Sequence, residues 1–190
     1  MLMSHLFALE VAYVPALGIT NLFLREVYKI GKNKIEQKSS TLLTVAMGLD
    51  VIITDDSGFT FFFNNHISFL ENSREYGNLD IINRTGGSTI EGVLYDSSWN
   101  LGYTFFMENF RIALGAGMGI FASNEDLRKS SLFAAGFVVN MNLDYFFVDS
   151  MALSLGIEDG IYGSINTRRR KYFPNMYNRF STRIGYVIKF

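Results

Sequence analysis

What most constrains this chain is a two-residue alternation between large apolar side chains and small or polar ones, which recurs in eight separate stretches of its 190 residues. Successive side chains of a strand point to opposite faces, so this period predicts strands with two unlike surfaces. In the first stretch Phe7, Leu9, Val11 and Tyr13 lie opposite Ala8, Glu10 and Ala12. The second sets Leu43, Val45, Met47, Leu49, Val51 and Ile53 against Thr44, Ala46, Gly48 and Asp50. The third sets Phe59, Phe61, Phe63, Ile67 and Phe69 against Thr60, Asn64, His66 and Ser68, with Phe62 an apolar exception. In the fourth, Val93, Tyr95, Trp99, Leu101, Tyr103 and Phe105 oppose Asp96, Ser98, Asn100, Gly102 and Thr104. The fifth opposes Phe110, Ile112, Leu114, Met118 and Ile120 to Arg111, Ala113 and three glycines, and the sixth opposes Phe133, Phe137, Val139, Leu143 and Tyr145 to Asn140, Asn142 and Asp144. Met151, Leu153, Leu155 and Ile157 then face away from Ala152, Ser154 and Glu158. The last strand begins near Asn175 and carries Tyr177, Arg179, Ser181, Arg183 and Lys189 on one side, with Thr182, Ile184, Tyr186, Ile188 and Phe190 on the other.

The connections alternate as well. Those after the second, fourth and sixth strands are a few residues long, whereas those after the first, third, fifth and seventh run from roughly eight to more than twenty residues, on the long side of ordinary strand connections. An even number of strands with short turns on one rim and long loops on the other describes a membrane barrel with both termini on the short-turn side. The expected fold is therefore all-β: an eight-stranded antiparallel up-and-down transmembrane β-barrel, a single domain over residues 1–190. Asn21 to Ile30 carries two readings, since Phe23, Val27 and Ile30 have helical spacing. It is either a short amphipathic helix at the membrane rim or an extended hairpin arm.

Composition removes several classes. Mean hydropathy is +0.15, and no stretch of about 18 uncharged apolar residues exists, so a bundle of membrane helices is excluded. A formal net charge of −1 argues against nucleic acid as a partner. Without cysteine there is no disulfide framework and no thiolate site. His5 and His66 are the only histidines, which leaves no metal-ligand spacing, and no cofactor is expected. Met1 to Val14 has no Lys or Arg and already alternates like a strand, so it does not read as a secretory signal. An export signal, on this reading, was removed or lies outside the sequence.

Two barrels fit the alternation. A soluble lipocalin-like barrel lines its cavity with the apolar face, and a membrane barrel turns that face outward. The apolar face here is crowded with large residues, whereas the other combines Gly, Ala and Ser with Glu10, Asp50, Asp96, Arg111, Asp144, Glu158, Arg179, Arg183 and Lys189. Small residues suit the inside of a narrow barrel, so the apolar face is expected outside. Aromatics at Phe59, Phe61, Tyr103, Phe105, Phe110, Tyr145, Tyr186 and Phe190 would form an interface girdle near the short turns. The interior charges carry both signs. They form either a plug of salt bridges or the lining of a narrow conduit.

The closing segment, with Ile184, Tyr186, Ile188 and Phe190 on one face, resembles the C-terminal strand of bacterial outer-membrane β-barrels. That resemblance implies an assembly signal read by the barrel-assembly machinery. Over nearly its whole length the chain is similar to small eight-stranded outer-membrane barrels of the OmpA/OmpX and OmpW kind. The resemblance implies a bacterial cell outer-membrane protein, monomeric, surrounded by outer-membrane lipid, with both termini periplasmic. It implies a structural or surface-interaction role through the long loops, such as adhesion or ligand contact; the alternative is an OmpW-like, porin-like narrow channel for small solutes or ions. The run Arg168, Arg169, Arg170 and Lys171, joined by Arg25, Lys29, Lys32, Lys34 and Lys38, is either a solvated surface or a contact for phosphates of an anionic surface glycolipid or for a host ligand.

His66 and Ser68, with Glu71 beyond, resemble the His-x-Ser pair of outer-membrane lipid A deacylases, but the rest of that pattern is not evident around them. Both point into the lumen, so the expectation is hydrogen bonding there, no catalytic residue and no enzyme. Gly115, Gly117 and Gly119 alternate along a strand and no capped helix follows, so they are not a phosphate loop.

Overall fold

The computed structural model describes residues 9–30, 34–77, 93–123, 133–164 and 176–190, with side chains over 9–23, 43–69, 93–122, 133–163 and 176–190. Its strands are β1 (Leu9–Ile30), β2 (Lys34–Asp55), β3 (Phe59–Gly77), β4 (Val93–Met107), β5 (Phe110–Ser123), β6 (Phe133–Val148), β7 (Met151–Ser164) and β8 (Met176–Lys189). Each pairs antiparallel with its neighbour in sequence, and β8 pairs with β1 to close an eight-stranded barrel. Closure leaves no sheet edge, which is how a β-structure satisfies its backbone in a medium without water.

Three connections are tight and gather on one rim, the turn rim, together with Leu9 and Phe190. Between β2 and β3, Asp55 Oδ1 accepts from the backbone N–H of Ser57 (2.9 Å) and Phe59 (2.8 Å) and from the Ser57 hydroxyl (2.6 Å). Gly58 follows at φ 91°, a conformation that glycine adopts without a Cβ clash. β4 and β5 are joined through Glu108 and Asn109, and β6 and β7 through Asp149 and Ser150.

On the opposite side, the open rim, the first connection is shorter than the long loop expected after the first strand. β1 and β2 stay in register out to Ile30↔Lys34, so of the two readings of Asn21 to Ile30 the extended hairpin arm holds and the amphipathic helix does not. Pairing with β2 takes up the backbone groups of this arm that face it, β8 pairs with β1 as far as Arg25↔Met176, and β3 pairs with β2 as far as Gly77↔Ser40. Pro15 lies inside β1: the ladder to β2 continues through it, while the ladder to β8 skips Val14 and Pro15. Proline has no N–H to give, and Phe190 N donating to Val11 O (3.1 Å) sets the alternation that puts the missing donor toward β8.

The two faces separate as the alternation requires. Outward positions are apolar and exposed, among them Leu17 (62%), Met118 (66%) and Ile184 (67%). Inward positions include Asp50, Asp96, Arg111, Asp144, Glu158, Arg179 and Arg183, all buried. This is the inverse of a soluble barrel. Phe62, the exception in β3, is an inward phenylalanine with no exposure at all. Around the turn rim Tyr13 and Phe190 meet edge-on, and Tyr103–Phe105, Phe110–Tyr145 and Phe147–Tyr186 pack as tilted pairs on the outer surface. Some outward positions are polar: Ser97 is buried and donates to Asn65 Oδ1 (3.0 Å), to which Tyr95 also donates (2.8 Å), and Asn178 Nδ2 donates to Asp159 Oδ1 (3.2 Å).

Candidate functional site in the barrel lumen

The lumen is stacked in layers, and the order of residues along the strands sets the order of the layers. Next to the turn rim, Arg111 donates from Nε to Asp144 Oδ2 and from Nη1 to Glu10 Oε1, each at 2.7 Å, and Lys189 Nζ reaches Glu10 Oε2 at 2.7 Å. The Phe146 ring lies against both cations, 5.3 Å from Arg111 Cζ and 4.6 Å from Lys189 Nζ. Such contacts reward a cation that has lost its water.

Above this layer come Ala12, Val14, Ile52, Phe62, Ala113, Ala152 and Val187, packed as one apolar cluster. Phe62 is the one aromatic among the buried residues of this cluster; the buried Asn100 stands opposite it across the β3–β4 ladder, and Asn140 lies beside it at Gly115.

The central layer holds the remaining charges. Arg179 pairs with Asp96 and Glu158, and Arg183 reaches Asp50 Oδ2 (3.4 Å) and Glu158 Oε2 (3.6 Å). His66 sits between two carboxylates, with Nε2 2.8 Å from Asp50 Oδ1 and Nδ1 3.1 Å from Asp96 Oδ1. Glu158 Oε2 also accepts from Asn64 Nδ2 (2.7 Å) and Ser98 Oγ (3.0 Å). Desolvating these groups costs several kcal/mol per ion, and only dense mutual pairing offsets it. Toward the open rim Leu22, Leu94, Phe121, Ala134, Val138, Tyr162 and Tyr177 form a second apolar layer, in which Phe121 meets Tyr162 and Tyr177 edge-on.

All eight charges expected in the lumen network point inward, but they divide: Glu10, Arg111 and Asp144 belong to the turn-rim layer, and Asp50, Asp96, Glu158, Arg179 and Arg183 to the central one. His66, expected only to hydrogen-bond, links Asp50 to Asp96 at the middle of that layer. Ser68 Oγ is buried and makes no hydrogen bond to His66, whose two ring nitrogens both face carboxylates. The side chains of Glu71, Arg25, Lys29, Lys34 and Lys38, and residues Lys32 and Arg168 to Lys171 altogether, lie outside the described residues. His66, Asp96 and Glu158 bring three ligand-type atoms within 4.8 Å of one another, a grouping that spacing along the sequence could not reveal because it spans three strands. Arg179, bound to both carboxylates, already supplies the positive charge between them.

Three comparisons bear on this barrel. A family model described as a domain of unknown function (DUF2715) matches residues 7–190. No curated protein matches the sequence. Among solved structures, the chain is similar to Neisserial surface protein A (14% identity, TM-score 0.53, covering 95% of this chain and 97% of that one). It is also similar to the outer-membrane protein OprG from Pseudomonas aeruginosa (12%, 0.55, 94% and 95%) and to the outer-membrane protein AlkL solved in DMPC bilayers (14%, 0.55, 94% and 90%). At these identities the likeness is one of fold: this chain has the architecture of the small outer-membrane β-barrels.

Proposed function

The chain belongs to the family described as a domain of unknown function (DUF2715), and on that premise we propose that it is an outer-membrane barrel with a shut lumen, acting as a structural or surface-interaction protein and not as a pore. The observation that carries this reading is the layering: an apolar cluster lies on each side of the central charge layer. An ion entering from either rim would have to cross aliphatic and aromatic side chains before meeting a charge that is already paired.

In this reading the turn rim faces the periplasm with both termini, and the long connections face outward. The exposed Phe190 (82%), with Ile184, Tyr186 and Ile188 along the same outward face, supports the reading of β8 as the strand that the assembly machinery recognises. The β1–β2 arm and the connection holding Arg168, Arg169, Arg170 and Lys171 are then the surfaces for an outside partner, with an anionic glycolipid or host polymer the chemistry that suits the cations.

Planar-bilayer recording tests the shut lumen. No conductance above the lipid background is expected, and reproducible unit currents would sink the proposal in favour of a narrow channel. Binding to phosphate-bearing glycolipid vesicles at low salt should fall when the four-residue basic run is neutralised; unchanged binding would remove that surface from the reading.

A further inference from the structure

In the central layer three carboxylates, Asp50, Asp96 and Glu158, meet two guanidiniums, Arg179 and Arg183, and none of the five side chains is more than 3% exposed. One negative charge is left over. The two apolar layers keep bulk water and counterions away from it, so neutrality has to be reached inside the layer. This step rests on the shut lumen proposed above.

His66 lies where the missing charge is needed. Its ring is 1% exposed and both of its nitrogens face carboxylate oxygens, Nε2 toward Asp50 at 2.8 Å and Nδ1 toward Asp96 at 3.1 Å. An ionised carboxylate only accepts hydrogen bonds, and a neutral imidazole has one N–H and one lone pair. The neutral ring would therefore turn its lone pair on one of the two oxygens. Only the imidazolium donates to both.

The charged groups around the ring come from four strands: Asp50 on β2, Asp96 on β4, Glu158 on β7, and Arg179 and Arg183 on β8, with Tyr162 bordering the layer toward the open rim. Arg183 Nη1 stands 3.4 Å from Nδ1. The Asp96 oxygen is nearer, and Arg183 also faces Asp50 and Glu158, so Nδ1 directs its proton to Asp96. Gly48 stands opposite His66 across the β2–β3 ladder, and its lack of a side chain leaves the space that the ring occupies.

We propose that His66 between Asp50 and Asp96 is a buried proton-binding site, holding a structural proton that supplies the third cation of the plug and ties β3 to both of its neighbouring strands. Removing that proton leaves one uncompensated charge in a dry layer and turns both carboxylates from partners of the ring into competitors.

Ring-nitrogen NMR on the full-length wild-type barrel in detergent micelles at neutral pH reads the assignment directly. A hydrogen on both nitrogens is the expected result, and a bare Nδ1 or Nε2 overturns it. Urea titration supplies a second readout. His66→Gln should lower the unfolding midpoint, and adding Asp50→Asn should recover most of the loss, because the pair of changes removes one charge of each sign. A double variant no more stable than His66→Gln would overturn the proposal. Bilayer recording of the same preparation separates the two readings: a bare nitrogen without current defeats the proton assignment alone, whereas current through a barrel with both nitrogens protonated defeats the shut lumen.

Discussion

Replacing Phe62 by alanine is the sharpest perturbation of the layered lumen. Its side chain is fully buried, and it is the one aromatic in the apolar cluster that separates the two charge layers. Phe→Ala changes in protein cores cost about 3–5 kcal/mol, from lost transfer free energy and from the cavity left behind. Area gives a similar figure, because a buried aromatic side chain of roughly 150–250 Å² at about 25 cal/mol per Å² is worth ~4–6 kcal/mol. The neighbourhood adds an internal control. A methyl on Gly115 would lie 2.5 Å from Asn140 Oδ1 and about 2.7–2.8 Å from Phe62 ring carbons, so Gly115→Ala alone overpacks the layer. The Phe62→Ala background removes the ring's part of that clash and leaves the contact with Asn140, so the two changes should couple favourably by roughly 0.5–3 kcal/mol. The assay is urea unfolding in detergent, followed through the single tryptophan, Trp99, which stacks on Phe63 at 5.9 Å on the outer wall. A loss below about 1 kcal/mol, the size of an ordinary point change, or strict additivity with Gly115→Ala, would refute the claim that this ring fills the seal.

Other expectations follow from the same geometry. Gly48→Ala would set a methyl into the Asn65 carbonyl and the His66 ring and should cost about 1–3 kcal/mol in the same titration, whereas Gly163→Ala meets nothing within 4 Å and should stay within about 0.5 kcal/mol of wild type. Arg111→Ala strips the partner from the fully buried Asp144 and should cost about 3–5 kcal/mol, while Lys189→Ala, whose pair with Glu10 is about a quarter exposed, should cost at most about 1 kcal/mol; equal losses would contradict the layering. At the turn rim, the Ser57 hydroxyl and the backbone N–H groups of Phe59, Ser57 and Gly58 hold the Asp55 carboxyl below the usual carboxylate range. A lowered folded value stabilises the turn above the ordinary range and is lost as pH falls through that lowered value. Ser57→Ala should therefore raise the Asp55 titration in carboxyl NMR, and an unmoved titration would show that the hydroxyl is not the cause.

The faces of the barrel were readable in the chain because a period of two is a property of each strand by itself. Height within the lumen is different, since it depends on how neighbouring strands are staggered. Where a connection has two or three residues, the turn sets the register: Asp55 and Gly58 close β2 on β3, and Gly48 opposite His66 follows by counting back. Where residues 78–92 intervene, counting fails, and nothing in the order of residues announces that His66 stands directly opposite Asp96. The same holds for Arg111 opposite Asp144, which lie on either side of residues 124–132, and for Arg179 and Arg183, which reach the layer from beyond residues 165–175. Alternation thus named nearly every charge of the lumen but could not sort them into layers, and it left His66 as a lone histidine among polar neighbours. The β1–β2 arm was half legible. Phe23, Val27 and Ile30 have helical spacing, so the sequence left a helix and an extended arm both open, and pairing with the partner strand decides for the arm. What decides whether this barrel is shut is a matter of register, and register was set by contacts between strands that the sequence holds far apart.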